Sequence, residues 1–426
     1  MLAKNFSYSI IYKILALFIS LTLVPLLINI LGVEKYGLWV TMTSLLVWIS
    51  LFDFGLGYAL KNTVSKSLAN SAIKNAQQET FQILKITFFF SFVLLVAFLF
   101  SFSFIEIFSN NIYLSLVLFL PFILTFSIKL GSPILQGARK IALESGFLFL
   151  NTLLFFISVL IINFFDLKLE IIDLVILFVA SYILSTFLVW LSAMRIIEIT
   201  WMDFKEILNT KLNFARIQVG MKFFGLQLSS LVLYSIGTII VFSYLNATSA
   251  AHFDVVNKIF LAGLGIFNIG IAVFWPEISH NLEKKDFHKI LKLYFIMIGL
   301  SVIFFISSIV FSFFAPQIIL LWTNEKINVS QQETIWFALL VSVQAVAYCG
   351  AVVLNAFEKI SYQLLISIVA TIIMLPLTIY LINSNYGISS VPIAAFILTL
   401  PAALYCNLHT YKLIKQGKID VKTNTN

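Results

Sequence analysis

The chain has 426 residues, of which 61% are hydrophobic and only 11% charged; soluble domains carry roughly 25% charged residues, so water is excluded as the solvent and a lipid bilayer takes its place. The net charge of +8 sits almost entirely in short loops between apolar runs, where it sets membrane orientation and does not indicate nucleic acid as a partner. The two cysteines, Cys349 and Cys406, fall inside apolar runs and form no disulfide framework or metal motif.

The apolar runs are long and unbroken, unlike the alternating segments of a barrel, and therefore predict helices. In chain order, spans are predicted over 9–31, 37–60, 82–105, 112–134, 145–164, 171–192, 219–244, 254–277, 291–315, 334–356, 361–383 and 387–411. The first run is too long for the apolar part of a signal peptide and lacks an A-x-A exit, so it is expected to stay as a span. Pro25, Pro121, Pro276 and Pro376 lie within spans, where neighbouring helices supply the partners a proline removes.

An even number of spans puts both termini on one side. Loops on that side hold Lys61, Lys66, Lys74, Arg139, Lys140, Arg195 and further lysines, and the tail adds Lys412, Lys415, Lys418 and Lys422. The opposite loops hold only Lys35, Lys168 and Lys326. Basic residues stay inside, so both termini are expected in the cytoplasm of a bacterial cell, with the chain in its inner membrane.

The longest loop, 193–218, carries Trp201, Phe204, Ile207, Leu208 and Leu212 at helical spacing with Asp203, Lys205, Glu206 and Lys211 between them. This predicts an amphipathic helix on the cytoplasmic surface, with a solvated linker as the plainer alternative. The expected organisation is an N-terminal six-helix lobe over 1–192, the linker 193–218, and a C-terminal six-helix lobe over 219–426 with a short basic tail. Two halves with an even number of spans share one orientation, so any pseudo-two-fold axis between them runs along the membrane normal.

No P-loop, H-E-x-x-H or G-x-S-x-G pattern occurs, and no extramembrane segment is long enough for a catalytic domain. The expectation is a protein without enzymatic activity, cofactor or metal. Charges inside the spans are the remaining chemistry. A lysine at mid-bilayer costs about 2.5–3.5 kcal/mol on insertion scales, so each asks for a reason. Lys13, Lys129 and Lys258 lie in the first, fourth and eighth spans, Asp53 near the end of the second and Asp254 at the start of the eighth. One reading is structural: each lysine stem reaches the interface, and Lys258 pairs with Asp254 four residues earlier on the same helical face. The other is a water-filled cationic cavity for an anionic head group, diphosphate above all.

The run LGVEKYGLWVTMTSLLVWISLFDFGLGYALKNTVSK, Leu31 to Lys66, resembles the signature of polysaccharide-export flippases of the Wzx, or O-antigen translocase, type. ILQGARK, GMKFFGLQL and FWPEISHNLEKKD are softer matches, and the resemblance extends over the whole chain in span count and loop rhythm. Such proteins belong to the superfamily that includes the MATE multidrug exporters. The resemblance implies two six-helix lobes, alternating access and an undecaprenyl-diphosphate oligosaccharide as substrate, for O-antigen or another surface polysaccharide. It also implies a cavity with basic residues, for which Lys13, Lys129 and Lys258 are the candidates. Asp53, Gly55 and Gly57 match the D-x-G-L-G segment and are read as a tight helix end at a hinge.

No nucleotide motif is present, so a substrate gradient or a coupling ion, H+ or Na+, must drive transport, and a polysaccharide polymerase is an expected partner alongside the membrane lipids. A MATE-like exporter of cationic drugs is the alternative; it would favour acids over bases inside the spans, and here lysines dominate. A membrane polymerase or ligase would need a large outer loop with arginines, and a plain scaffold would leave the buried charges without a purpose.

Overall fold

In the computed structural model the described residues are 2–49, 54–199, 215–357, 359 and 361–423, and they are helical throughout, with no strand among them. Among the described residues nine helices are long and apolar enough to cross a membrane, and counting each of two bent pairs as one span gives eleven. The first helix, α1 (Leu2–Ile49), is itself two arms, because Gly32 breaks it with φ 75° and ψ 167°. Counting the arms separately gives the twelve expected spans.

The chain forms two compact units. Unit 1 is Met1–Lys35 with Met42–Gln227, and unit 2 is Tyr36–Thr41 with Leu228–Asn426. In unit 1, α1 is followed by α2 (Leu56–Ala69), α3 (Ile73–Ser101), a short α4 (Glu106–Ser109), α5 (Ile112–Leu124), α6 (Gly131–Gly137), α7 (Ile141–Phe164) and α8 (Ile171–Ile196). Next comes α9 (Ala215–Tyr234), which passes into unit 2. Unit 2 holds α10 (Gly237–Tyr244), α11 (Ala247–Ala272), α12 (Phe274–Glu283), α13 (Phe287–Trp322), α14 (Gln331–Ala356), α15 (Ser361–Asn383) and α16 (Ser390–Thr423). The predicted surface helix around 201–212 and the residue Asp53 lie outside the described residues.

Each unit is packed around its own apolar cluster. In unit 1, Leu60, Phe81, Ile134 and Trp190 meet; in unit 2, Ile278, Met297, Val352 and Ile414 do. Elsewhere large apolar side chains point outward, among them Phe92 and Phe100 on α3 and Ile303 and Phe314 on α13. This inverted surface is stable only against hydrocarbon. Several buried hydroxyls are satisfied within their own helices: Thr41, Thr80, Ser342 and Thr378 each donate to the carbonyl four residues earlier, which suits a medium without water.

Several predicted boundaries are corrected. The eighth span begins at Ala247, not at 254, because Asn246 caps it: its side-chain oxygen accepts the Ser249 N–H at 2.7 Å. Ala247, Ala250 and Ala251 then favour helix in a stretch that reads as polar loop. The fourth span is broken. The Pro121 carbonyl accepts both the N–H and the hydroxyl of Thr125, at 2.9 and 2.7 Å, and the chain tightens into a 3-10 turn over Ser127–Leu130. The pieces either side are bent by 44°. The seventh span also breaks, by 43°, where the N–H groups of Ser235 and Ile236 converge on the Leu231 carbonyl. The second span ends its first piece at Ile49 and, past the undescribed residues, α2 runs on to Ala69, beyond the expected limit at 60.

Candidate functional site

The helix start at Ala247 changes the standing of the charged pair on α11. Asp254 lies seven residues inside the helix and Lys258 eleven, about two and three turns. Four residues apart, they share a face, and the Lys258 ammonium donates to Asp254 Oδ2 at 2.5 Å. The third member comes from far away in sequence. Tyr36, at the head of the Tyr36–Thr41 stretch that belongs to unit 2, donates its hydroxyl hydrogen to the same Asp254 Oδ2 at 2.7 Å and accepts from Lys258 Nζ at 3.0 Å. Its ring also lies under the ammonium, with 5.5 Å from Nζ to the centroid.

Burial grades across the three. Tyr36 is fully enclosed, the Asp254 side chain is 12% exposed, and that of Lys258 is 32% exposed. The backbone fixes this arrangement: Gly37 packs directly on the carbonyl of Ala247. An ammonium has three hydrogens; Asp254 and Tyr36 engage two, which leaves a third donor on a side chain that is 32% exposed. The pair is neutral overall, which is the condition for placing two charges among apolar helices without a large desolvation penalty.

Lys129 occupies a different setting in unit 1. It sits in the 3-10 turn at the break between α5 and α6. Phe122 and Tyr182 stack with centroids 3.8 Å apart and planes 10° apart. The Lys129 ammonium lies 5.5 Å from one ring and 5.6 Å from the other. Thr125 ties the cradle together: its hydroxyl oxygen lies 3.2 Å from that of Tyr182. Lys13 is on the exposed side of α1. Its neighbours anchor that helix to α7: the hydroxyls of Ser9 and Ser145 are 2.7 Å apart, and Tyr12 stacks on Phe149.

Gly55, buried just before α2, has φ 74° and follows Phe54 at φ 48°, a left-handed pair that turns the chain into α2 and that a glycine adopts without strain. Phe54 packs between Phe90 and Phe224 at 4.6 and 4.9 Å. Gly57 is in the first turn of α2.

Sequence reasoning missed two participants. Tyr36 stood inside the quoted LGVEKYG motif, but nothing local marks it as the partner of a residue 218 positions away. Glu144 was placed just outside the fifth span; α7 in fact begins at Ile141, and Glu144 is buried, accepting from Ser132 at 2.6 Å and Gln136 at 2.9 Å through one oxygen. No cluster of three metal-ligating side chains exists among the described residues. A separate groove of about 780 Å³ in unit 2, lined by Tyr294, Phe305, Val343, Phe396 and Leu404, is apolar and suits hydrocarbon chains.

Residues 2–282 match the profile of the polysaccharide biosynthesis protein family. A Salmonella typhi protein that carries the name O-antigen transporter is 24% identical, over 96% of this chain and 95% of its own length. A Salmonella typhimurium protein with the same name is 41% identical over 59 residues, 14% of each chain. Among solved structures, an inward-facing multidrug resistance MATE family transporter of the MOP superfamily has a TM-score of 0.71 at 16% identity, with 95% of each chain covered. The fold is therefore that of the MATE transporters.

Proposed function

The chain belongs to the polysaccharide biosynthesis protein family, and from that membership we propose that it moves an undecaprenyl-diphosphate-linked oligosaccharide repeat unit across the bacterial inner membrane by alternating access. The observation that carries the reading is the Lys258 ammonium, held about three turns inside an apolar helix with one face open. A cation so placed suits the diphosphate of a lipid-linked sugar. The name of the full-length Salmonella typhi relative points to the same cargo class.

In this reading Lys13, Lys129 and Lys258 contact the head group in turn, both termini are cytoplasmic, and H+ or Na+ supplies the driving gradient. The lobes are the two six-helix halves, joined by the 193–218 linker. The protein transports and does not catalyse, and a polysaccharide polymerase takes up the delivered units. The test is a deletion strain. Accumulation of the lipid-linked unit on the cytoplasmic face, with loss of surface polysaccharide, is the expected result.

The second reading is a MATE-like exporter of cationic drugs, favoured by the fold. Retained surface polysaccharide together with new sensitivity to cationic dyes in the same strain would put that reading in place of the first.

A further inference from the structure

An uncovered lysine inside a bacterial membrane faces a selectivity problem. Anionic phospholipids with a single charge surround it in large excess over any diphosphate-linked intermediate. A free ammonium with three donors would bind their phosphates well. The Lys258 ammonium is not free: Asp254 holds it at 2.5 Å, and Tyr36 fixes Asp254 through a hydroxyl bond of 2.7 Å while enclosed on every side.

We infer that Asp254 is a specificity-determining residue, a built-in competitor that keeps monoanionic phospholipid off Lys258 and yields only to a head group of higher charge. This rests on the proposed transport of a diphosphate-linked substrate and assigns the discrimination at its site.

The argument is one of charge. A ligand must replace the carboxylate at Nζ and leave Asp254, bound only by Tyr36, without its counter-ion. A monoanion offers Lys258 no more charge than the carboxylate already does, so the exchange is a net loss. A diphosphate diester carries two negative charges and more acceptor oxygens. It can take the third ammonium hydrogen, which Asp254 leaves open, before it displaces the carboxylate. When the head group departs, the carboxylate returns to the ammonium, since Tyr36 has kept it in place. The site therefore recloses behind its cargo and does not retain it.

The experiment uses the full-length protein in phosphatidylcholine nanodiscs, with inorganic pyrophosphate as the dianionic or more highly charged probe and phosphatidylglycerol as the monoanionic one. Wild type is expected to bind pyrophosphate with little competition from phosphatidylglycerol. Asp254→Asn is expected to bind phosphatidylglycerol at least tenfold more tightly than wild type does, and Asp254→Asn with Lys258→Ala to lose that gain. Tyr36→Phe, which keeps the ion pair and drops the hydroxyl, guards against a misfolded Asn variant and is expected to show a gain of about threefold, since the carboxylate is then less firmly held. Unchanged phosphatidylglycerol binding in folded Asp254→Asn, a gain that survives Lys258→Ala, or wild type that does not bind pyrophosphate overturns the inference. The deletion strain tests the transport reading separately: lipid-linked units that still reach the surface defeat that reading whatever the nanodiscs show, and a nanodisc failure leaves it standing.

Discussion

Gly37 lies so close to Ala247 that a Cβ built on it would stand 1.7 Å from the Ala247 carbonyl oxygen. The second arm of α1 and the first turn of α11 therefore touch backbone to backbone, and this contact sets Tyr36 at hydrogen-bonding distance from Asp254. The obstacle to any side chain is a carbonyl, which cannot rotate aside. Gly37→Ala must push the two segments apart, at a cost of about 1–3 kcal/mol or more. Thermal unfolding in detergent should shift down by several degrees, and, if Lys258 meets the cargo as proposed, transport should fall with it because Tyr36 moves too. An unshifted unfolding temperature would show that the contact is looser than the structure has it.

Asn246 makes a smaller and more local contribution. Its side-chain oxygen takes the Ser249 N–H, one of the four donors that the start of α11 leaves without a helical partner. Asn246→Ala should cost about 1 kcal/mol, while Asn246→Asp or Asn246→Ser should cost little. The same unfolding measurement separates the three. A loss shared equally by all three variants would mean that the amide acts through something other than the cap.

These two residues also show what the sequence could and could not disclose. The spans were legible because bilayer thickness demands long apolar runs, and the Asp254–Lys258 pair was legible because four residues make one helical face. The start of α11 was not: ATSAAH is too polar for a hydropathy window, and only the cap and the alanines make it helix. Nor was Tyr36, whose role comes from packing at a separation of 218 residues. The break near Lys129 was half legible. Pro121 was visible, but a proline alone does not say that Thr125 will take over its carbonyl and bend the chain four residues later.

At Lys129 the aromatic cradle and the charge can be separated by experiment. Lys129→Met keeps an apolar stem beside the stacked Phe122 and Tyr182 rings and removes only the ammonium. If that ammonium meets the substrate head group, transport per molecule should fall at least tenfold, about 1.4 kcal/mol or more, with the unfolding temperature little changed. Lys129→Arg should keep part of the activity. Tyr182→Leu should do the opposite: it removes the stacked ring and the hydroxyl partner of Thr125, so stability should fall by about 1–2 kcal/mol. Wild-type transport in Lys129→Met would remove this lysine from the site.

Glu144 offers a test of what a buried carboxylate does among neutral partners. Both of its hydrogen bonds, from the Ser132 hydroxyl and the Gln136 amide, end on one oxygen, and it forms no ion pair among the described residues. An amide oxygen accepts the same two bonds, so Glu144→Gln should leave the unfolding temperature close to that of wild type. Glu144→Leu fills similar space but leaves two donors facing hydrocarbon, which costs about 1–3 kcal/mol for each group left unsatisfied. The comparison also isolates charge from hydrogen bonding in transport. If Glu144→Gln folds normally yet transports poorly, the negative charge itself is used, and this residue joins the proposed lysines as a candidate part of the machinery. If Glu144→Gln transports normally while Glu144→Leu is unstable, Glu144 serves to join α6 to α7, and the bend beside Lys129 is held by hydrogen bonds alone.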